Sequence, residues 1–193
     1  MSNETLKKNF IDKAINFARQ NLKLIIATLV SVLIFLFCFF FYKNLQERNN
    51  IKIAEQYTQA SLLVKQKKIQ ESKLLLESIV NKNHQFYSPM ALYLIIDNNI
   101  VSEKIKIISF FDKVLNNNSI DKENLNLIKI KKAVYLIGLD NEELIVDTLN
   151  PVINSNSVWR SIAINMISEY FLSKNQVVKA EEYIQLLNIK NNK

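Results

Sequence analysis

The chain has 193 residues and a formal net charge of +7, and it contains only one glycine, two prolines, one cysteine and one histidine. Folds that depend on glycine-rich phosphate loops or on many tight β-turns require more glycine than this, so the composition favours an all-α protein. A single histidine excludes a two-histidine metal site and most catalytic triads, and a single cysteine excludes an intramolecular disulfide.

The first 23 residues are predicted to form a short basic arm. Leu6, Phe10, Ala14 and Phe17 recur at spacings of four and three residues, which is typical of an amphipathic helix. A helix of this kind lies on an anionic leaflet or docks on a partner. The alternative is a loosely structured juxtamembrane tail.

Residues 24–42 form a long apolar run. From Leu24 to Tyr42 the chain has 19 consecutive uncharged residues, and a bilayer core of about 30 Å requires roughly 20 helical residues. The run is longer than the apolar core of a signal peptide, and it ends in aromatic rather than small residues. We therefore predict an uncleaved transmembrane anchor that begins at Leu24 and ends at Tyr42. Cys38 is interpreted as a small apolar residue, not a lipidation site.

The charges that flank the anchor predict its orientation. Because cytoplasmic flanks carry the excess of Lys and Arg, the N-terminal arm is expected in the cytoplasm and the following domain across the membrane. In a bacterium this is an inner-membrane protein with a periplasmic domain. The basic residues before the anchor are Lys7, Lys8, Lys13, Arg19 and Lys23, and those after it are Lys43, Arg48 and Lys52.

Residues 51–189 are predicted to form one helical domain, preceded by a linker at 43–50 and followed by a tail at 190–193. The linker contains no helix breaker, so the anchor helix is free to continue through it. Turn signals divide the domain into about four helical hairpins. The spacing of the turns approaches the period of about 34 residues of tetratricopeptide repeats, and the alternative is a plain helical bundle. The turns fall near residues 67, 98, 140 and 174.

Capping and breaking residues predict several helix ends. Ser88, which precedes a proline, and Ser102 are predicted N-caps. Gly138 is predicted to end one helix, and Pro151 is predicted to end a short helix at 142–149.

Apolar residues at helical spacing predict the buried side of each helix. The tyrosines at 57, 93, 135 and 170 recur in the first helices of the hairpins and are expected in the core, and Ala180 is expected at a close helix contact. The predicted buried stripes are Ile53, Tyr57, Ala60 and Val64; Ile69, Ser72, Leu76 and Ile79; Ile105, Ile108, Phe111 and Leu115; Leu127, Ile130, Val134 and Ile137; Val158, Ile162, Met166 and Tyr170, flanked by Trp159, Ala163, Ile167 and Phe171; and Val177, Ala180, Ile184 and Leu187.

Four segments in this arrangement are similar to repeat positions of a known family. They are AEQYTQA at 54–60, YSPMAL at 87–92, VWRSIA at 158–163 and AEEYI at 180–184. Together with the arm and the single anchor, they make the chain resemble the YfgM-like family of membrane-anchored tetratricopeptide proteins, whose best-known member is an ancillary subunit of the bacterial Sec translocon. The resemblance implies an inner-membrane protein whose periplasmic domain interacts with translocon subunits or periplasmic chaperones.

The sequence presents no combination of residues typical of catalysis or cofactor binding. His84 is expected to be a polar surface residue before a helix. The adjacent pairs Glu142-Glu143 and Glu181-Glu182 diverge by about 100° on a helix, so neither pair is able to face one substrate. Basic and acidic residues alternate along the helices, unlike a nucleic-acid-binding surface. We therefore predict no catalytic, cofactor-binding or metal site.

These features predict a non-enzymatic membrane scaffold that binds proteins through its helical domain. The predicted partners are the lipid bilayer and proteins, with no nucleic acid, cofactor or small-molecule substrate. The partner-binding residues are not assigned, because the sequence does not separate groove positions from core positions. One alternative is a structural tether for envelope assembly or division that acts through residues 1–42. Another is a membrane-bound enzyme.

Overall fold

The computed structural model describes Lys13 and residues 20–189. Within these residues the chain is helical and contains no β-strand, which confirms the all-α prediction. The predicted amphipathic arm lies almost entirely outside the described residues, as does the tail at 190–193. Both therefore stay predictions.

Eight helices are described from end to end, and they are numbered here in chain order. They are α1 (Leu22–Lys65), α2 (Ile69–Asn81), α3 (Tyr87–Asp97), α4 (Lys104–Leu115), α5 (Lys122–Ile137), α6 (Glu142–Ile153), α7 (Arg160–Ser173) and α8 (Val177–Ile189).

The first of two compact units, Met1–Lys52, contains the apolar run. Among the described residues, α1 is the one helix long and apolar enough to cross a membrane, as predicted. The apolar side chains described within residues 24–42 are exposed, with Phe37 accessible over 73% of its surface. The Thr28 hydroxyl donates a 2.8 Å hydrogen bond to the Leu24 carbonyl, so this polar group has a partner within the helix. Residues 43–50 are helical, so the anchor helix continues through the predicted linker, which contains no helix breaker.

The second unit, Ile53–Lys193, is described up to residue 189. Helices that follow one another in the chain pack together from α2 to α8, and α2 also contacts α4 while α5 contacts α7. The principal contacts therefore join helices no more than two positions apart. The buried apolar side chains form two clusters, one spanning Ile53 to Ile128 and the other Ile130 to Ala180.

Several predicted core residues are buried as expected. Ala60, Leu76 and Ile79 have no accessible surface, and Ala180 is fully buried in α8. A fully buried Leu or Ile side chain stabilises a fold by roughly 1.5–3 kcal/mol relative to an exposed one. The prediction for α4 is wrong at Ile105, which is 85% exposed.

The error in α4 has a clear physical cause. This helix contacts α2, α3 and α5, so its buried surface is set by three neighbours and not by one. Apolar residues occupy more than one of its faces, and the face that is buried consists of Ile107, Phe110, Phe111 and Val114.

The same ambiguity affects α5, α7 and α8. Each has more apolar residues than its neighbours bury, so the predicted stripe is partly exposed while an adjacent stripe is covered. In α5, for example, Ala133 and Leu136 have no accessible surface. The exposed members of the predicted stripes are Val134, Val158, Ile162, Val177 and Ile184.

Ser88 and Ser102 are not helix N-caps. Helix α3 begins one residue before Ser88, whose buried hydroxyl donates to the Ile79 carbonyl at 2.7 Å and accepts from the His84 N–H at 2.8 Å. Ser88 therefore ties α3 to α2 and does not end a helix. At α4 the N-cap position belongs to Glu103, one residue after Ser102.

Pro151 lies inside α6, which continues to Ile153. The predicted end at residue 149 is therefore wrong. Proline removes one helical hydrogen bond near the end of the helix, and the residue four positions earlier, Asp147, is exposed. Exposure allows water to replace the lost donor, which explains why the helix tolerates the proline there.

The turns use asparagine, aspartate and lysine where many proteins use glycine. Gly138 follows α5 as predicted, but its φ of −64° is right-handed, and the left-handed residue of that turn is Asp140. Asn and Asp tolerate this conformation better than other side chains. The chain can therefore form these turns with a single glycine. The non-glycine residues with positive φ in the described chain are Lys67, Asn83, Asn99, Asp140 and Asn175.

Candidate protein-binding groove

Two cavities lie between α3 and α5, and Tyr93 lines both. The larger has a volume of about 440 Å³ and the smaller about 170 Å³. The larger is lined by Tyr93, Ile96, Asp97, Phe111, Lys131, Val134, Tyr135, Gly138 and Leu139, and the smaller by Gln85, Phe86, Pro89, Met90, Tyr93, Ile120, Asn124, Leu127 and Ile128. We call the surface formed by these residues the α3/α5 groove.

The two walls of the groove run in the same direction. The smaller cavity is lined by the beginning of α3 and the beginning of α5, whereas the larger is lined by the ends of both helices. This correspondence requires a parallel arrangement. Helix α4 packs against both walls, and its fully buried Phe111 reaches the larger cavity, where its ring centroid lies 6.1 Å from that of Tyr135.

Two asparagines form a hydrogen bond between the segment that precedes α3 and the segment that precedes α5. The Nδ2 of Asn117 donates a 2.6 Å hydrogen bond to the backbone carbonyl of Asn83. The Asn117 side chain also accepts from the Ser119 N–H at 2.9 Å, and the residue is buried. Because Asn83 lies just before α3 and Asn117 just before α5, this contact sets the relative position of the two walls.

The groove exposes apolar side chains to solvent. Phe86 and Val134 are each 56% exposed, one on each wall. Soluble surfaces carry isolated apolar residues routinely, but an apolar concavity with few polar groups is typical of a binding site. The polar residues of its lining are Gln85, Asp97, Asn124 and Lys131, together with the tyrosine hydroxyls.

Lys131 supplies a positive charge in the groove. Its Nζ lies 4.5 Å from the centroid of the Tyr93 ring, which is favourable cation–π geometry. The neighbouring Lys132 is paired differently, with its Nζ 2.6 Å from the Asp112 carboxylate of α4. Among the described residues Lys131 itself makes no ion pair. It is therefore the lysine available to a ligand.

The groove tyrosines would be neutral at physiological pH even at their ordinary pKa of about 10, and burial raises that pKa further. Burial raises the pKa of Tyr93 to about 12 and also raises the pKa of Tyr135 above its ordinary value. Both hydroxyls remain protonated at physiological pH. The formal charges of the groove are consequently those of Lys131 and of the exposed Asp97 at the far end of α3.

The other residues singled out in the sequence lie elsewhere. The Nδ1 of His84 accepts the backbone N–H groups of Phe86 and Tyr87, each at 3.1 Å, so this histidine caps the first turn of α3. Glu142 accepts a 2.8 Å hydrogen bond from Lys179. Over residue 13 and residues 20–189, no three His, Cys, Asp or Glu side chains are grouped as metal ligands would be.

The groove was not identified from the sequence. The sequence predicts Tyr93 in the core and Val134 on a buried stripe, whereas both face the α3/α5 groove. The sequence signal that indicates such a groove is the number of apolar residues on α5, because one neighbouring helix cannot cover all of them.

Comparison with protein-family models, curated proteins and solved structures gave no match. The resemblance to the YfgM-like family stays a prediction from the four sequence segments described above.

Proposed function

We propose that this protein is a non-enzymatic, membrane-anchored scaffold that binds a protein partner in the α3/α5 groove. The observation that carries the proposal is the apolar concavity between two parallel helices, with Phe86 and Val134 exposed on opposite walls. Apolar anchors in a pocket with a few convergent polar groups supply most of the affinity of many protein interfaces.

The anchor is the apolar part of α1. The described side chains of its run of 19 uncharged residues are exposed and would leave a large apolar surface in water, whereas lipid would cover it. The charge bias across the anchor supports a cytoplasmic N-terminus and a domain on the opposite side of the membrane. In a bacterium the domain would then be periplasmic, where the YfgM-like resemblance suggests translocon subunits or chaperones as partners.

Recurrent hydrogen bonds support a tetratricopeptide-like array in the domain. Four of them join residues separated by 34 positions, which is close to the period of such repeats. Equivalent contacts at a constant separation are expected when each repeat packs on the next in the same way. These four bonds join Asn83 to Asn117, Glu123 to Ser157, Asp140 to Lys174, and Glu142 to Gln176.

Site-specific photo-crosslinking tests the binding proposal. A photoreactive phenylalanine analogue at Val134 should form adducts with a discrete partner in intact cells, whereas the analogue at Val178 should not. Val178 is a matched control because it is an equally aliphatic residue, 71% exposed, on α8 and outside the groove. Equal adducts at both positions, or a partner retained by a chain that lacks residues 51–193, would contradict the proposal.

A structural tether is the second candidate. The aromatic surface of the anchor favours it, since Phe35 and Phe37 are both at least 70% exposed and are available to another membrane helix. Replacing residues 1–42 with an unrelated transmembrane segment separates the two functions. Loss of the partner after the exchange supports the tether, and retention supports the groove.

A further inference from the structure

The two cavities of the groove meet at Tyr93, which lines both. Along α3, Met90 of the smaller cavity and Asp97 of the larger cavity are seven positions apart, which corresponds to about 10 Å at 1.5 Å per residue. Phe86 and Met90 line the smaller cavity, and Asp97 lines the larger. Residues i and i+7 of a helix have the same separation and share one face. Two apolar side chains at this spacing would therefore reach both cavities.

The walls of the groove favour a helical occupant over an extended one. In an α-helix the backbone N–H and C=O groups bond within the helix, so α3 and α5 offer few backbone partners along their length. An extended peptide would leave its own backbone groups unpaired against an apolar surface. A helical peptide satisfies them internally and presents only side chains.

The position of Lys131 specifies the charge of the occupant. Its ammonium group lies over Tyr93, the residue shared by both cavities, and Lys131 is the first α5 residue of the larger cavity after those of the smaller one, so the charge stands where the two apolar sites meet. A carboxylate three or four residues after the first anchor would face it. Because Lys131 stands where the two cavities meet, a carboxylate between the two anchors of the bound helix is able to pair with it in either orientation of that helix.

From these three features we infer that the α3/α5 groove binds an amphipathic helix of the partner, with two apolar anchors seven residues apart and an acidic residue between them. The inference depends on the proposed function, because it specifies the partner of the same groove. It also distinguishes the groove from a general apolar surface, which would show no preference for spacing or charge.

Defined peptides test the inference with the full chain in lipid nanodiscs. The probe is a fluorescein-labelled 16-residue peptide of alanine and glutamine with leucine at positions 5 and 12 and glutamate at position 9. One control peptide has lysine at position 9, and another has its second leucine at position 10 instead of 12. Fluorescence anisotropy should show the glutamate peptide binding at least tenfold more tightly than either control.

Protein variants complete the test. Lys131→Glu should reverse the preference, so that the lysine peptide binds more tightly than the glutamate peptide. Lys122→Glu provides a matched charge control on the same helix, since Lys122 is exposed and outside both cavities, and it should leave the preference unchanged. Val134→Glu should weaken all peptides. Circular dichroism checks that each variant remains folded.

Each remaining outcome has a defined meaning. Equal binding of the glutamate and lysine peptides, or of the two leucine spacings, would overturn the inference. If no peptide binds while Val134 still crosslinks to a partner in cells, the inference is wrong and the scaffold proposal stands. If the crosslink is also absent, both are wrong. If light scattering shows a dimer that Val134→Glu dissociates, the occupant is a second copy, and the inference is again overturned.

Discussion

The hydroxyl of Ser157 donates a 2.6 Å hydrogen bond to the Oε2 atom of Glu123, which lies 34 residues earlier. The same carboxylate oxygen accepts the Val158 N–H at 3.3 Å, and the Ser157 oxygen accepts the Trp159 N–H at 3.1 Å. Ser157 is buried, so water replaces these bonds poorly. These hydrogen bonds therefore hold the residues just before α7 against the first turn of α5.

Ser157→Ala should lower the free energy of unfolding by about 1–3 kcal/mol, because it removes a buried hydrogen bond to a charged group. Urea unfolding of the full chain in detergent, followed by the fluorescence of Trp159, the sole tryptophan, measures the change. Ser109→Ala is the control, since the exposed Ser109 hydroxyl donates only to a carbonyl of its own helix. That change should cost less than about 0.5 kcal/mol. Equal effects would contradict a special role for Ser157.

The ion pair between Lys132 and Asp112 should respond unequally to removal of its two partners. The Lys132 side chain is only 10% exposed, whereas that of Asp112 is 52% exposed. Asp112→Asn leaves a largely buried ammonium without a carboxylate. It should lower the free energy of unfolding by about 1–2 kcal/mol, which is less than the loss expected when a fully buried ion pair is broken. Lys132→Met removes the charge and keeps the packing of the side chain, so it should lower the free energy of unfolding by less than about 1 kcal/mol. Urea unfolding measures both, and the reverse order would contradict this explanation.

The sequence predicted the helices and most turns because each depends on local information. The sequence predicts the turns at Lys67 and Asn175, for example, within one or two residues of their positions. Which face of a helix is buried depends on neighbours that the local pattern does not reveal. The local pattern therefore predicts Ile105 and Val134 in the core, although both are mainly exposed. The α3/α5 groove was missed for the same reason, since its walls come from helices about 35 residues apart.

Lys67 offers a direct test of backbone strain in the turns. Its φ of 61° is left-handed, whereas the adjacent Lys68 has a φ of −84°. Lys67→Gly should raise the free energy of unfolding by about 0.5–1 kcal/mol, because relief of strain exceeds the added flexibility of the unfolded chain. Lys68→Gly should lower it by about 0.5–1 kcal/mol, because only the flexibility changes. Urea unfolding compares them, and a decrease in both variants would show that Lys67 is not strained.

His84 should make the stability of α3 depend on pH. Its Nδ1 accepts two backbone N–H groups and must be unprotonated to do so. Burial lowers its pKa below the ordinary value of 6.5. The unfolded chain therefore binds a proton at a higher pH than the folded chain. The histidine's contribution to stability is complete above pH 6.5 and declines as the pH falls from 6.5 through the lowered pKa.

Nuclear magnetic resonance of the imidazole measures this dependence directly, because His84 is the sole histidine. The ring should carry its proton on Nε2 and titrate below pH 6.5. His84→Gln should remove the corresponding fall in stability between pH 7 and pH 5. A titration at or above 6.5, or a ring protonated on Nδ1 at neutral pH, would contradict the capping role.

The membrane anchor should fail when its centre is charged. Leu33 and Ile34 lie near the middle of the apolar run and are about 60% exposed. Each lysine at the centre of a span opposes insertion by about 2.5–3.5 kcal/mol, so Leu33→Lys with Ile34→Lys should oppose it by roughly 5–7 kcal/mol. We expect the double variant to leave the membrane pellet on carbonate extraction, while the wild-type chain remains.

The matched control is Leu74→Lys with Ile105→Lys, which adds the same charge at positions over 70% exposed in the second unit. This control should stay in the pellet, since its changes do not touch the anchor. Retention of the Leu33 and Ile34 variant would mean that another part of the chain holds the protein at the membrane.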